Sequence, residues 1–132
     1  MLDTIVSAQQ PHRPVAERRE QLIEAAIAVL AEHGLDGMTT RRITEEAGLA
    51  LGAFHYAFES KHALMRAVIE RFSDGVDRVL LESLRSASNP DDPTLLIRQL
   101  LDAFWDYVES TPMLQVAQYE LTVHALRDPD LR

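Results

Sequence analysis

Residues 39–58, TTRRITEEAGLALGAFHYAF, decide the fold. Thr39 is a helix N-cap by residue type, and Thr40 to about Ala47 supplies two turns before Gly48 interrupts them. Another two turns fit between about Ala50 and Ala57, with Phe58 and Glu59 in the link that follows. Isolated helices below about a dozen residues are marginal in water, so both must be held by packing. Ile43 and Ala47 on the first, Leu49 in the turn and Phe54 on the second are spaced to meet one apolar stripe. Ala47 permits close approach, and Gly48 suits a turn that needs positive φ. A corner of this kind is a helix-turn-helix, whose second helix fits a DNA major groove.

The stripe lies just upstream. From about Val15 to His33, Leu22, Ile23, Ala26, Ile27 and Leu30 recur at helical steps, and Gly34 is placed to end that helix in a left-handed cap. Downstream, Ser60 can cap a long fourth helix toward Arg85, with Leu64, Val68, Phe72, Val76, Val79 and Leu80 on its main apolar face. Residues 86–93, SASNPDDP, break the chain. A fifth helix is predicted from Thr94 to near Ser110, and a sixth from Pro112 to about Arg127, where Asp128 and Pro129 stop it. Residues 1–14, with Pro11 and Pro14, read as a flexible arm. The expected class is all-α.

Composition sets the limits. A chain of 132 residues is one domain, or a small domain with part of another, and can bury roughly two-thirds of its surface. It has no cysteine, which excludes disulfides, iron–sulfur clusters, thiolate zinc sites and cysteine nucleophiles. The longest apolar run, Ala25 to Ala31, is far short of the ~18 residues of a membrane span. The first residues, MLDTIVSAQQ, carry no secretory pattern, so the expected compartment is the cytoplasm. A net charge of −8 argues against a protein that wraps nucleic acid, but leaves room for one that touches DNA with a small face. Glu120 and His124 lie four apart and Asp74 and Asp77 three apart, yet there is no HExxH, nucleophile elbow or glycine-rich phosphate loop. No catalytic residue, cofactor or metal ligand is assigned.

The run from Arg18 to Leu64 resembles the DNA-binding head of the TetR family of bacterial transcriptional regulators. The resemblance rests on Ala25-Ala26, Leu30, His33-Gly34, Thr39-Thr40, Ile43, Ala47-Gly48-Leu49, Gly52, Phe54, Tyr56, Phe58, Ser60-Lys61 and Leu64. It implies a helix-turn-helix domain over residues 15–62, and over residues 63–132 the first part of a helical effector-binding and dimerisation domain. Family members are commonly longer and dimerise through two late helices, so an ending at LRDPDLR reads as that of a fragment.

By the same resemblance, Thr40, Arg41, Arg42 and Lys61 are phosphate-facing. Ala50, Leu51, Gly52, Ala53, His55 and Tyr56 form the recognition surface. Family members often carry serine or threonine at the position of Ala50, a basic or polar residue at Leu51, and threonine at Ala53. The apolar residues here favour methyl contacts to thymine, with His55 and Tyr56 supplying polar contacts. Two readings stand for several of these residues. Arg41 and Arg42 are either phosphate ligands or solvated charges near Glu45 and Glu46, and His55 and Tyr56 either face DNA or are merely exposed or partly packed. Residues 39–62 carry three basic against three acidic side chains, so arrangement rather than net charge must make a DNA face.

The resemblance also implies an effector cavity in the body, with Phe72, Val76, Leu100, Phe104, Trp105, Tyr107, Met113, Tyr119 and His124 as lining candidates. Ordinary bundle core is the other reading of each. The implied function is a ligand-responsive regulator, a repressor, that binds a palindromic double-stranded DNA operator as a homodimer and is released by a small, mostly apolar effector. The alternative is a helical protein-interaction or effector-sensing protein that has lost sequence-specific DNA binding.

Overall fold

A computed structural model describes residues 15–131; the arm expected over residues 1–14 lies outside them. Six α-helices follow in order: α1 (Val15–His33), α2 (Thr40–Glu46), α3 (Gly52–Ala57), α4 (Lys61–Arg85), α5 (Pro93–Ser110) and α6 (Pro112–Ala125). A single 3₁₀ turn, Pro129–Leu131, ends the described chain. No strand occurs among the described residues.

Side-chain and glycine caps set most of the boundaries. Thr39 accepts from the Arg42 N–H at 3.2 Å, and Ser60 from the Ala63 N–H at 3.1 Å, each satisfying a donor that the first helical turn leaves without a partner. Asp92 does the same for α5, accepting from Thr94 and Leu95, so this helix starts at Pro93, one residue before the expected Thr94. Gly34 and Gly48 both have φ near +66°, the left-handed conformation that closes α1 and turns α2 into α3.

Three helices are shorter than their sequence pattern, α2 by the one residue Ala47, which becomes its C-cap. α3 begins at Gly52 rather than Ala50, because Leu51 at its N-cap offers no capping oxygen and the lead-in closes with tighter bonds, Ala53 N–H to Ala50 carbonyl and Phe54 N–H to Leu51 carbonyl. α6 ends at Ala125 rather than Arg127. Both the Arg127 and Asp128 N–H groups turn back to the His124 carbonyl as the chain approaches Pro129.

One apolar core organises the head. Leu22, Ala26 and Leu30 of α1 are fully buried against Ile43 of α2, Phe54 of α3 and the loop residue Met38, with Ala47 and Leu49 packed beside them. Leu64, Met65 and Val68 of α4 close it from below, so the packed unit continues past position 62. From the other side α6 contributes Ala117 and Leu121, which lie in the same core as α1. The Glu120 carboxylate accepts the Leu35 N–H at 3.4 Å and holds α6 against the end of α1. Apart from Tyr107, the buried side chains with a polar group among the described residues are Thr44 and Ser83. The Thr44 hydroxyl lies 3.0 Å from the Thr40 carbonyl and 2.9 Å from that of Arg41, its available acceptors. No helix among the described residues is long and apolar enough to cross a membrane.

Candidate nucleic-acid interface

The geometry of α3 follows from its spacing. Phe54 and Ala57 point inward, and Phe54 meets Phe58 at 6.1 Å between ring centroids. On the other side Ala50, Leu51, Gly52, His55 and Tyr56 are exposed, with Ala53 half-buried between the two faces. Leu51 and Tyr56 each keep more than half of their surface open, at 53% and 55%. The helix therefore presents an open face on which only His55 and Tyr56 carry polar side-chain atoms.

The predicted phosphate ligands differ in their partners. Arg42 donates from its guanidinium to the Gly37 carbonyl at 2.9 Å, and Lys61 donates from Nζ to the Met38 carbonyl at 3.3 Å. Successive carbonyls of one loop thus bring together two cations from different helices. Arg41 is different: its Nε donates to Glu45 at 2.9 Å within α2, a pairing that offsets its charge. Thr40 is half-buried at the first turn of α2.

Two arginines of α1 meet α3 in a way that carries no sign in the sequence. Arg19 of α1 donates to the Ala57 carbonyl at 2.8 Å and lies over the Phe58 ring at 4.2 Å, while Arg18 lies over the Tyr56 ring at 5.7 Å. The partners are about forty positions apart, so no local pattern marks the pairing.

The effector candidates are not gathered into one cavity. A groove of about 780 Å³ opens between α1, α4, α5 and the start of α6, and of the nine candidates Tyr107 and Met113 line it. Tyr107 is buried, its hydroxyl packed against Gly75 and its ring 6.5 Å from that of Phe72. Burial pushes the Tyr107 phenol upward, opposed by the charges of Arg78 and Arg71. Val76, Leu100 and Phe104 are half-buried and do not line the groove. Tyr119 and His124 border a separate groove of about 460 Å³ beside residues 33–36.

Trp105 and Tyr119 lie on the outer surface, 60% and 69% exposed. Positions two apart on a helix point in nearly opposite directions, and Tyr107, Ala117 and Leu121 hold the inward ones. The groove is also more charged than an apolar effector would require. Glu20, Glu24, Arg71, Asp74 and Arg78 line it beside Ile27, Ala28 and Leu114, and Arg71 forks onto Glu20 and Glu24 across the seam of α1 and α4.

A short helix-turn-helix corner, held by a longer helix and continued into a helical body, defines a DNA-binding class of protein. Residues 22–68 match the model of the bacterial regulatory proteins of the tetR family. The nicotine-responsive transcriptional repressor HdnoR of Paenarthrobacter nicotinovorans is 30% identical over 113 residues, which cover 86% of this chain and 57% of that protein. The nucleoid occlusion factor SlmA of Glaesserella parasuis serovar 5 is 27% identical over 123 residues, covering 92% of this chain and 58% of that one. The solved structure of the multidrug binding protein EbrR complexed with imidazole superposes with a TM-score of 0.69 at 30% identity, covering 91% of this chain and 64% of that one. The chain thus carries, over residues 22–68, the DNA-binding head of the tetR family of bacterial regulatory proteins. It spans under three-fifths of the length of these two curated relatives.

Proposed function

We propose that this chain is the DNA-reading and effector-sensing part of a transcriptional repressor that binds a palindromic operator as a homodimer in the cytoplasm. The observation that carries the reading is the exposed face of α3, in a head whose α1–α2 loop also gathers Arg42 and Lys61 onto successive carbonyls. A helix with a packed back and an open front suits a major groove, and the gathered cations suit phosphates. Its polar reading groups are His55 and Tyr56; Ala50, Leu51 and Ala53 offer methyl surface to thymine. Gly52 lets the backbone come close. A twofold pairing of copies would double the otherwise sparse cationic contacts.

The relative named for nicotine responsiveness and the multidrug binding neighbour support a small organic effector. The groove between α1, α4, α5 and α6 is its site in this reading. Its five charged lining residues favour an effector with a polar group as well as an apolar body, in place of the mostly apolar one expected from sequence.

Selection of duplexes from a random pool tests the assignment. A recovered palindrome supports it, and the Lys61→Ala variant should then weaken binding to all duplexes by a similar factor. Its salt dependence should become shallower by roughly one unit for each phosphate that Lys61 no longer neutralises, up to two in a symmetric dimer. Failure to recover any preferred sequence would favour the second reading, a protein-interaction role. That reading draws on the Arg41–Glu45 pairing, which offsets one of the few positive charges of the head.

A further inference from the structure

A six-residue helix makes few internal hydrogen bonds, and its last carbonyls have no partner within it. The N-terminal end of α3 gains nothing from its cap, because Leu51 has no side-chain oxygen. The C-terminal end is held from outside. Arg19 of α1 donates to the Ala57 carbonyl at 2.8 Å, and a cation there also meets the negative end of the helix dipole. The same guanidinium lies 4.2 Å from the Phe58 ring centroid, so its flat face is fixed as well as its N–H.

Consecutive residues on a helix point about 100° apart, so Arg18 and Arg19 leave α1 in different directions. Arg19 takes the end of α3 and Arg18 its side, with the guanidinium carbon 5.7 Å from the Tyr56 ring centroid. Arg18 makes no ion pair with a carboxylate among the described residues. Tyr56 is one of only two exposed α3 side chains with polar atoms, so its orientation matters more than it would on a polar helix.

We propose that Arg18 and Arg19 are positioning residues for DNA reading: Arg19 ties the end of α3 to α1, and Arg18 sets the ring of Tyr56 on the exposed face. The assignment rests on the DNA-reading role proposed above. It makes the first turns of α1 part of the reading machinery. A change at the start of the chain then alters sequence discrimination without touching a base.

The test compares a duplex selected by the wild-type chain with a shuffled duplex of the same length. Arg19→Met should lower the ratio of the two affinities by roughly tenfold, the scale of one hydrogen bond from a charged donor. Arg19→Lys, which keeps the charge, should recover part of that loss and provides a folded comparison if Arg19→Met unfolds. Amide hydrogen exchange should quicken over α3 and stay slow over α4. Arg18→Met should lower the ratio by roughly two- to fivefold, and should have no further effect once Tyr56→Ala is present.

An unchanged ratio and unchanged α3 exchange in both Arg19 variants would overturn the role of Arg19. An Arg18→Met variant that weakens both duplexes equally, with a shallower salt dependence, would make Arg18 a phosphate ligand and overturn its positioning role. A wild-type chain that selects no duplex would overturn both roles together with DNA reading itself. Faster α3 exchange in Arg19→Met would in that case still separate the structural tie from the failed function.

Discussion

α1 and α5 are of similar length and both are amphipathic, yet they sit in opposite surroundings. Seven residues of α1 are buried, from Leu22 to Leu30, whereas Tyr107 is the one buried residue of α5. Leu95, Ile97, Leu101 and Trp105 all stand about half or more exposed on α5. The difference lies in the neighbours. α1 is packed by α2, α3, α4 and α6, while α5 rests mainly on α4. An apolar stripe shows that a helix has a face to bury; the number of helices around it decides how much of that face leaves water.

The contrast has consequences that can be measured. The largest effect is expected at the centre of the head, where Phe54 is fully buried. Phe54→Ala should cost about 3–5 kcal/mol in a denaturation experiment. Trp105→Ala, on the open side of α5, should stay within about 1 kcal/mol. Equal losses at the two sites would show that α5 is covered in solution and would end the contrast.

Gly75→Ala sharpens it at the one place where α5 is tightly packed. A Cβ at Gly75 would lie 2.1 Å from the Tyr107 hydroxyl, so alanine should destabilise by about 1–3 kcal/mol despite its better helix propensity. Gly52→Ala is the matching control in the head, because a Cβ there meets nothing within 4 Å. Its stability should be unchanged or raised by up to about 1 kcal/mol. Any accompanying loss of duplex binding would report close backbone approach by DNA.

A smaller effect is expected at the seam. Arg71→Met removes the fork onto Glu20 and Glu24, which is largely at the surface, and should cost about 1 kcal/mol or less, shrinking as salt is added. The smallest is at Asp128. The hydrogen bond from His62, and then that from the Asp130 backbone N–H, hold its carboxyl below the usual carboxylate range, against a weaker opposing effect of burial. A lowered folded-state pKa means stabilisation that is complete above the usual carboxylate range and lost as pH falls through the lowered value. Asp128→Asn should therefore melt slightly below wild type at neutral pH. The two melting curves should converge in acid. A constant gap at all pH values would show that the carboxyl's titration is not linked to folding.

Much of the head was legible because its signals are local. The caps Thr39 and Ser60 and the glycines at 34 and 48 each act within one turn of their own position, and the stripe Leu22, Ala26, Leu30 is a period read from one helix. The resemblance to a known head rests on the same positions. The errors of one or two residues at α2, α3, α5 and α6 came where a cap was missing, was supplied by a neighbouring residue, or gave way to a tighter turn. The body was less legible. Trp105 and Tyr107 are both aromatic and two positions apart, but only the rotation of α5 against α4 sends one outward and the other onto Gly75.

Hydrophobic period and capping chemistry act over a few residues, so the six helices and the corner at Gly48 could be read from the chain alone. Tertiary structure alone decided that Arg19 caps α3, that Arg18 meets Tyr56, and that Arg42 and Lys61 share one loop. It also decided that the groove between α1 and α4 is edged with charge. These pairings join side chains from separate helices, and the packing of those helices, which no single stretch of chain encodes, brings them within reach.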